Sequence, residues 1–129
     1  MVRKMLGGGM RQAGVLAAAG LVALEEGAKR LPIDHGNARL LAKGPAEIPG
    51  ISIDPRKVVT NIVVFDVSGT GLCAHEISKR LAEHGVLTNA TSPATMRMVS
   101  HLDVDRAGCE QALQKLRQIV TASCGSARA

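Results

Sequence analysis

Thr95-Met96-Arg97-Met98-Val99-Ser100-His101-Leu102-Asp103-Val104 is the stretch on which the fold turns. Its residues alternate in kind, with Met96, Met98 and Ser100 on one side of an extended chain and Arg97, Val99 and His101 on the other. A period of two marks a strand with one face against a core. Just before it, Thr91-Ser92-Pro93 reads as a turn, and Val86 and Leu87 begin a short strand. Just after it, Asp105 is placed to cap a helix whose Leu113, Leu116, Ile119 and Val120 form an apolar stripe, with a frayed tail beyond Ser123.

Working back toward the amino terminus, Cys73 to His84 carries Cys73, Ala74, Ile77 and Leu81 on one helical face and stops at Gly85. Gly69, Thr70 and Gly71 form a loop, and Val58 to Val67, dense in β-branched residues, predicts a second long strand. Turns are marked by Asp54-Pro55 and Pro49-Gly50. Ala28 to Lys43 repeats Leu31, His35, Ala38 and Ala42 at helical spacing, with Pro32 near its start and Gly44-Pro45 as its end. Arg11 to about Gly27 is alanine-rich and apolar on every side, the pattern of a helix buried all round. The order of two helices, strand, helix, strand, strand, helix predicts an α+β unit with helices on one face of a short antiparallel sheet. The expected organisation is a helical arm over 1–44, a small α+β domain over 45–123 and a tail over 124–129, with the boundary between Gly44 and Asp54.

The composition narrows the function. Among 129 residues Phe65 is the single aromatic, so aliphatic side chains must build the core. The formal charge of +5 comes from 16 basic and 11 acidic residues scattered in ones and twos, which favours small anionic ligands over nucleic acid, for which Phe65 alone provides no stacking platform. Cys73, Cys109 and Cys124 form no CxxC pair and no zinc-binding spacing with histidine; they fit a reducing, cytoplasmic setting as small hydrophobes. The apolar run from Ala13 to Leu24 is far shorter than the roughly 20 residues that span a bilayer. Gly7 to Gly9 and Arg11-Gln12 break up a signal-peptide pattern, so no membrane association is expected.

Near the amino terminus, Arg3-Lys4-Met5-Leu6-Gly7-Gly8-Gly9-Met10-Arg11-Gln12-Ala13-Gly14 places three glycines between two cations and runs into a helix of small residues. Backbone N–H groups with Lys4 and Arg11 can converge there on one anion, with phosphate the obvious candidate. Together with Asp34-His35-Gly36-Asn37-Ala38, Thr60-Asn61-Ile62-Val63-Val64-Phe65 and Met96-Arg97-Met98-Val99-Ser100-His101-Leu102-Asp103-Val104, this segment resembles the C-terminal part of L-threonine aldolases. The four matches occur in the family's order and span nearly the whole chain.

The resemblance implies the small C-terminal domain of an enzyme of the aminotransferase-like fold type I that uses pyridoxal 5'-phosphate. It implies cleavage of the Cα–Cβ bond of a β-hydroxy amino acid to glycine and an aldehyde, with the cofactor ring as electron sink. By the same resemblance Arg97 clamps the substrate carboxylate, a role suited to its planar fork. Lys4 and Arg11 are implied to reach the vicinity of the cofactor phosphate or substrate, in an assembly of two or four copies. His101, on the Arg97 face by alternation, is a lesser candidate for general base. The family's Schiff-base lysine, flanked as Ser-Lys-Gly-Leu-Gly, has no counterpart here: Lys43-Gly44 lacks the serine and is followed by Pro45. The expectation is a partner cofactor domain preceding this segment, and no catalysis by this chain alone. A free-standing amino-acid-binding module that keeps Arg97 as its clamp is the alternative.

Overall fold

The computed structural model describes residues 1–126, and the side-chain surroundings of residues 1–123. The chain divides into two units, Met1–Leu31 and Pro32–Ala129. The first holds a short helix α1 (Val2–Met5) and a longer α2 (Gly14–Val22), followed by a wider π-helical turn over Ala23–Gly27. Between the helices the glycine triplet makes a tight path: Gly7 adopts φ +82, and a Cβ on Gly8 would sit 2.8 Å from the Arg3 carbonyl oxygen. The helix expected over Arg11 to Gly27 forms from Gly14 onward, with Arg11 to Ala13 in a turn, and the expectation that it is buried all round is not met. No residue of α2 is buried, and Val15, Leu16, Leu21, Val22 and Leu24 are exposed. A helix needs only its own i to i−4 hydrogen bonds to form, whereas burial needs a partner surface.

Helix α3 (Ala28–Ala46) contains both Pro32 and Pro45, so Gly44-Pro45 does not end it as the sequence suggested. Pro45 is buried, and the packing of its ring offsets the hydrogen bond its missing N–H would have made. In the second unit Asn37, Ala38, Leu41, Ala42 and Pro45 form the buried side of α3. The Gly44 to Asp54 segment, where composition suggests a boundary, lies within this unit. Asn37 Nδ2 donates to the Val104 carbonyl at 3.2 Å, and Ser100 Oγ donates to the Asp34 carbonyl at 2.8 Å. These two bonds fix α3 against the chain leaving the sheet.

Strand β1 (Ile62–Asp66) is half the length expected for Val58–Val67. Its approach is taken up by a 3-10 turn at Pro55–Lys57, capped by the Asp54 carboxylate, which accepts the Arg56 N–H at 3.1 Å. Here the proline's fixed φ decides the backbone, against the β-propensity of the valines that follow. After a 3-10 turn at Ser68–Thr70, helix α4 (Ala74–Glu83) buries Ala74, Ile77 and Leu81 of the stripe the sequence marked, while Cys73, its fourth member, is the exposed N-cap. The next strand, β2 (Asn89–Ala90), begins beyond Val86 and Leu87, and β3 covers Thr95–Val99. Helix α5 (Arg106–Ser126) closes the unit, with Asp105 Oδ1 accepting the Gly108 N–H at 2.7 Å as the expected cap. It continues past Ser123, where the sequence placed the onset of fraying; residues 127–129 lie outside the described structure.

The sheet has the order β1-β3-β2 and is antiparallel throughout, with Val63 opposite Met98, Phe65 opposite Met96 and Asn89 opposite Arg97. One face meets the helices. Val63, Phe65, Met96, Met98 and Ser100 are buried there against Ala38, Leu41, Ile77, Leu81, Leu116 and Val120. The α+β class with helices on one face of a short antiparallel sheet is thus the observed architecture. No helix among the described residues is long and apolar enough to cross a membrane, and none of their acidic, histidine and cysteine side chains cluster as a metal site would require.

Candidate functional site

The open face of the sheet carries the chemistry. Because β3 alternates, burying Met96 and Met98 forces Arg97 and Val99 to the opposite side. Arg97 stands at the centre of the middle strand, with Val64 beside it on β1 and Asn89 on β2. The apolar residues of this face are uncovered: Ile62 is 48% exposed, Val64 49% and Val99 37%. Arg97 is half-buried, and its Nε is shut off from solvent with no hydrogen-bond partner. A buried N–H without an acceptor costs on the order of 1–3 kcal/mol, and a charged one more. A guanidinium edge left without a partner inside the chain can take a carboxylate or phosphate through two parallel bonds.

The acidic group at the end of this face is already committed. Asp66, opposite Thr95, accepts hydrogen bonds from the Ser68 hydroxyl and from the Ser68 N–H at 2.9 Å. The Ser68 hydroxyl, and secondarily its N–H, hold the Asp66 carboxyl below the ordinary carboxylate range. Asp66 therefore stays ionised while serving the turn.

The other candidates from the sequence fall in different places. His101 lies beyond the end of β3, so the strand expected to run to Val104 stops short of it and the shared face with Arg97 is lost. The chain turns there because Ser100 and Asn61 close the ladder, with Ser100 N–H on the Asn61 carbonyl at 3.0 Å and Asn61 Nδ2 on the Ser100 carbonyl at 2.8 Å. His101 is exposed, its Nδ1 accepting the Asp103 N–H at 3.3 Å and lying 3.6 Å from the Asp103 carboxylate. Lys4, on α1, and Arg11, in the turn before α2, are exposed residues of the first unit. Lys43 is exposed in the last turn of α3. Cys73 is exposed; Cys109 is buried, and burial pushes its thiol up. Cys124 falls outside the residues whose side-chain surroundings are described. The sequence does not single out Asn89: the strand it predicts begins at Val86, three residues before the observed start, and the pairing of Asn89 with Arg97 is set by the register.

The family model described as beta-eliminating lyase matches residues 1–68. The chain belongs to that family. Among curated relatives, it is 40% identical over 118 residues to low-specificity L-threonine aldolase 1 of Arabidopsis thaliana, covering 91% of this chain and 33% of the relative. It is also 40% identical over 104 residues to the low specificity L-threonine aldolase of Escherichia coli K12, covering 81% of this chain and 29% of the relative. This lyase-family chain thus spans about a third of the length of the curated relatives it matches. Among solved structures, that of MppP soaked with the product 2-ketoarginine superposes with a TM-score of 0.59 at 17% identity, over 76% of this chain and 30% of that one. The structural likeness is one of fold, and it agrees with the small α+β domain of a fold-type-I enzyme expected from the sequence.

Proposed function

We propose that this chain is the substrate-carboxylate-binding part of a pyridoxal-phosphate-dependent threonine aldolase that cleaves L-threonine or L-allo-threonine to glycine and acetaldehyde. The observation that carries the reading is the buried, unpartnered Nε of Arg97 on the open sheet face, in a chain 40% identical to two proteins named as threonine aldolases. Arg97 takes the carboxylate through its fork and so fixes the amino acid's orientation about Cα. Val64, Val99 and Ile62 present apolar surface on the same face, which lowers the local dielectric beside that contact. When bound, the cofactor supplies the electron sink for Cα–Cβ cleavage.

The chain's own residues fit the substrate and phosphate side of that cofactor rather than its point of attachment. Lys4 and Arg11 are cations suited to the phosphate or to a substrate anion, in a dimeric or tetrameric assembly. A lysine in a Ser-Lys-Gly-Leu-Gly setting, which the family uses for the covalent link, is absent from these 129 residues. Lys43, exposed and followed by Gly44-Pro45, does not replace it. We accordingly assign no turnover to the 129-residue chain alone. Borohydride reduction with pyridoxal phosphate and peptide mapping tests this assignment: the expected result is no stoichiometric lysine adduct, and one adduct with threonine turnover overturns it.

In the longer aldolase that carries this segment, Arg97→Ala is expected to lower kcat/KM for threonine by an amount equivalent to about 2–5 kcal/mol, the usual cost of removing one partner from a buried charge pair. Arg97→Lys should restore only part of it, because an ammonium cannot present the fork. An unchanged kcat/KM in Arg97→Ala refutes the clamp.

A further inference from the structure

We infer that Asn89 is a second polar contact for the carboxylate that Arg97 holds, a positioning residue that selects which edge of the guanidinium is used. This rests on the carboxylate reading of Arg97. Asn89 and Arg97 are directly opposed in the β2–β3 register, so both side chains leave the same face of the sheet. Opposed residues bring their Cβ atoms to about 4.5–5.5 Å, within which a carboxamide and a guanidinium can share one ligand. Asn89 is exposed, while Arg97 is half-buried with its Nε enclosed. On the other flank of Arg97 the register partner is Val64, which offers no polar atom. The two sides of the arginine therefore differ: one is an apolar wall, and the other carries a side-chain amide.

A carboxylate has about four lone-pair sites, and a guanidinium edge satisfies two of them. The Asn89 NH2 can satisfy a third, and it can do so only from the β2 side. An amide is suited to this place because it donates without adding charge; a carboxylate at the same position would repel the ligand. Asn89 is also held firmly enough to orient. β2 is paired to β3 through Asn89 and Ala90, and the residue before it is tied down by the Ser78 Oγ hydrogen bond to the Thr88 carbonyl at 2.7 Å.

Isotope-labelled 129-residue chain titrated with L-threonine, and with L-threonine methyl ester, tests this by NMR. The expected result is saturable shifts of the Asn89 side-chain NH2 and the Arg97 Nε–H with the free acid, and none with the ester. Asn89→Ala should weaken binding by about tenfold, the lower end for a hydrogen bond to a charged group, and Asn89→Asp should weaken it more. Asn89→Gln should recover part of the loss, and unchanged backbone spectra of the variants separate this effect from loss of the β2 pairing. Arg97→Ala should abolish binding. Abolition by Arg97→Ala with wild-type affinity in Asn89→Ala and Asn89→Asp overturns the role of Asn89 alone. Wild-type affinity in Arg97→Ala, or no saturable shifts in the unmodified chain, overturns the carboxylate reading and this inference with it.

Discussion

The two faces of the three-stranded sheet are made by the same fifteen or so ångströms of backbone, yet they serve opposite purposes. On the helix side Phe65 and Met96 face one another, as do Val63 and Met98, and all four are buried. On the other side Ile62, Val64 and Val99 remain exposed around Arg97, whose Nε has no partner. The first face is satisfied within the chain, and the second is left incomplete by it. Stability is thus expected to reside on one face, and recognition on the other.

The strongest way to break that division is Phe65→Ala. Phe65 is the chain's single aromatic and 2% exposed, so its removal leaves a cavity expected to cost about 3–5 kcal/mol. A loss under about 1 kcal/mol in denaturant unfolding would mean that the helix-side face does not hold the fold.

A subtler test lies where the open face meets the turn. Asp66 is held below its ordinary value of 3.8 by hydrogen bonds from Ser68. A carboxyl with a depressed folded-state value contributes its stabilisation in full above the unfolded value, and loses it as pH falls through the folded one. Wild type should therefore be more stable than Asp66→Asn at neutral pH, and the two should converge in acid below about pH 4. A difference that persists unchanged to pH 2 would remove the Ser68 interaction as its cause.

The smallest expected stability effect sharpens the contrast most. Arg97→Leu removes a half-buried cation with an unsatisfied N–H and replaces it by an aliphatic side chain among Val64, Val99 and Ile62. Its unfolding free energy should stay within about 0.5 kcal/mol of wild type or rise, while carboxylate binding is lost. A destabilisation above about 2 kcal/mol would show that Arg97 is a structural residue.

Much of this was legible beforehand because the signals were local. The α4 stripe of Ala74, Ile77 and Leu81, the Asp105 cap and the alternation through Met96, Arg97 and Met98 each depend on spacing within one element. What was misplaced depended on distant contacts. The ladder ends at Val99, beyond which Asn61, just before β1, ties down Ser100, so His101 falls off the face assigned to it. Pro45 stays inside α3 because the core receives its ring, and Gly50, marked only as a turn, is in fact pinned. It adopts φ +87, and a Cβ there would stand 2.5 Å from the Gly69 carbonyl oxygen, an approach that no local pattern announces.

By itself, the sequence determined which residues alternate, which helix faces are apolar, and that Arg97 stands apart from the methionines on either side of it, because side-chain period and chemistry are written in the chain. The tertiary structure decided where each strand stops, that Asn89 and Val64 flank Arg97, and that the Arg97 Nε is enclosed without an acceptor. Register and desolvation arise between segments far apart in sequence, and a hydrogen-bonding group becomes a demand for a ligand only once the fold has removed its water.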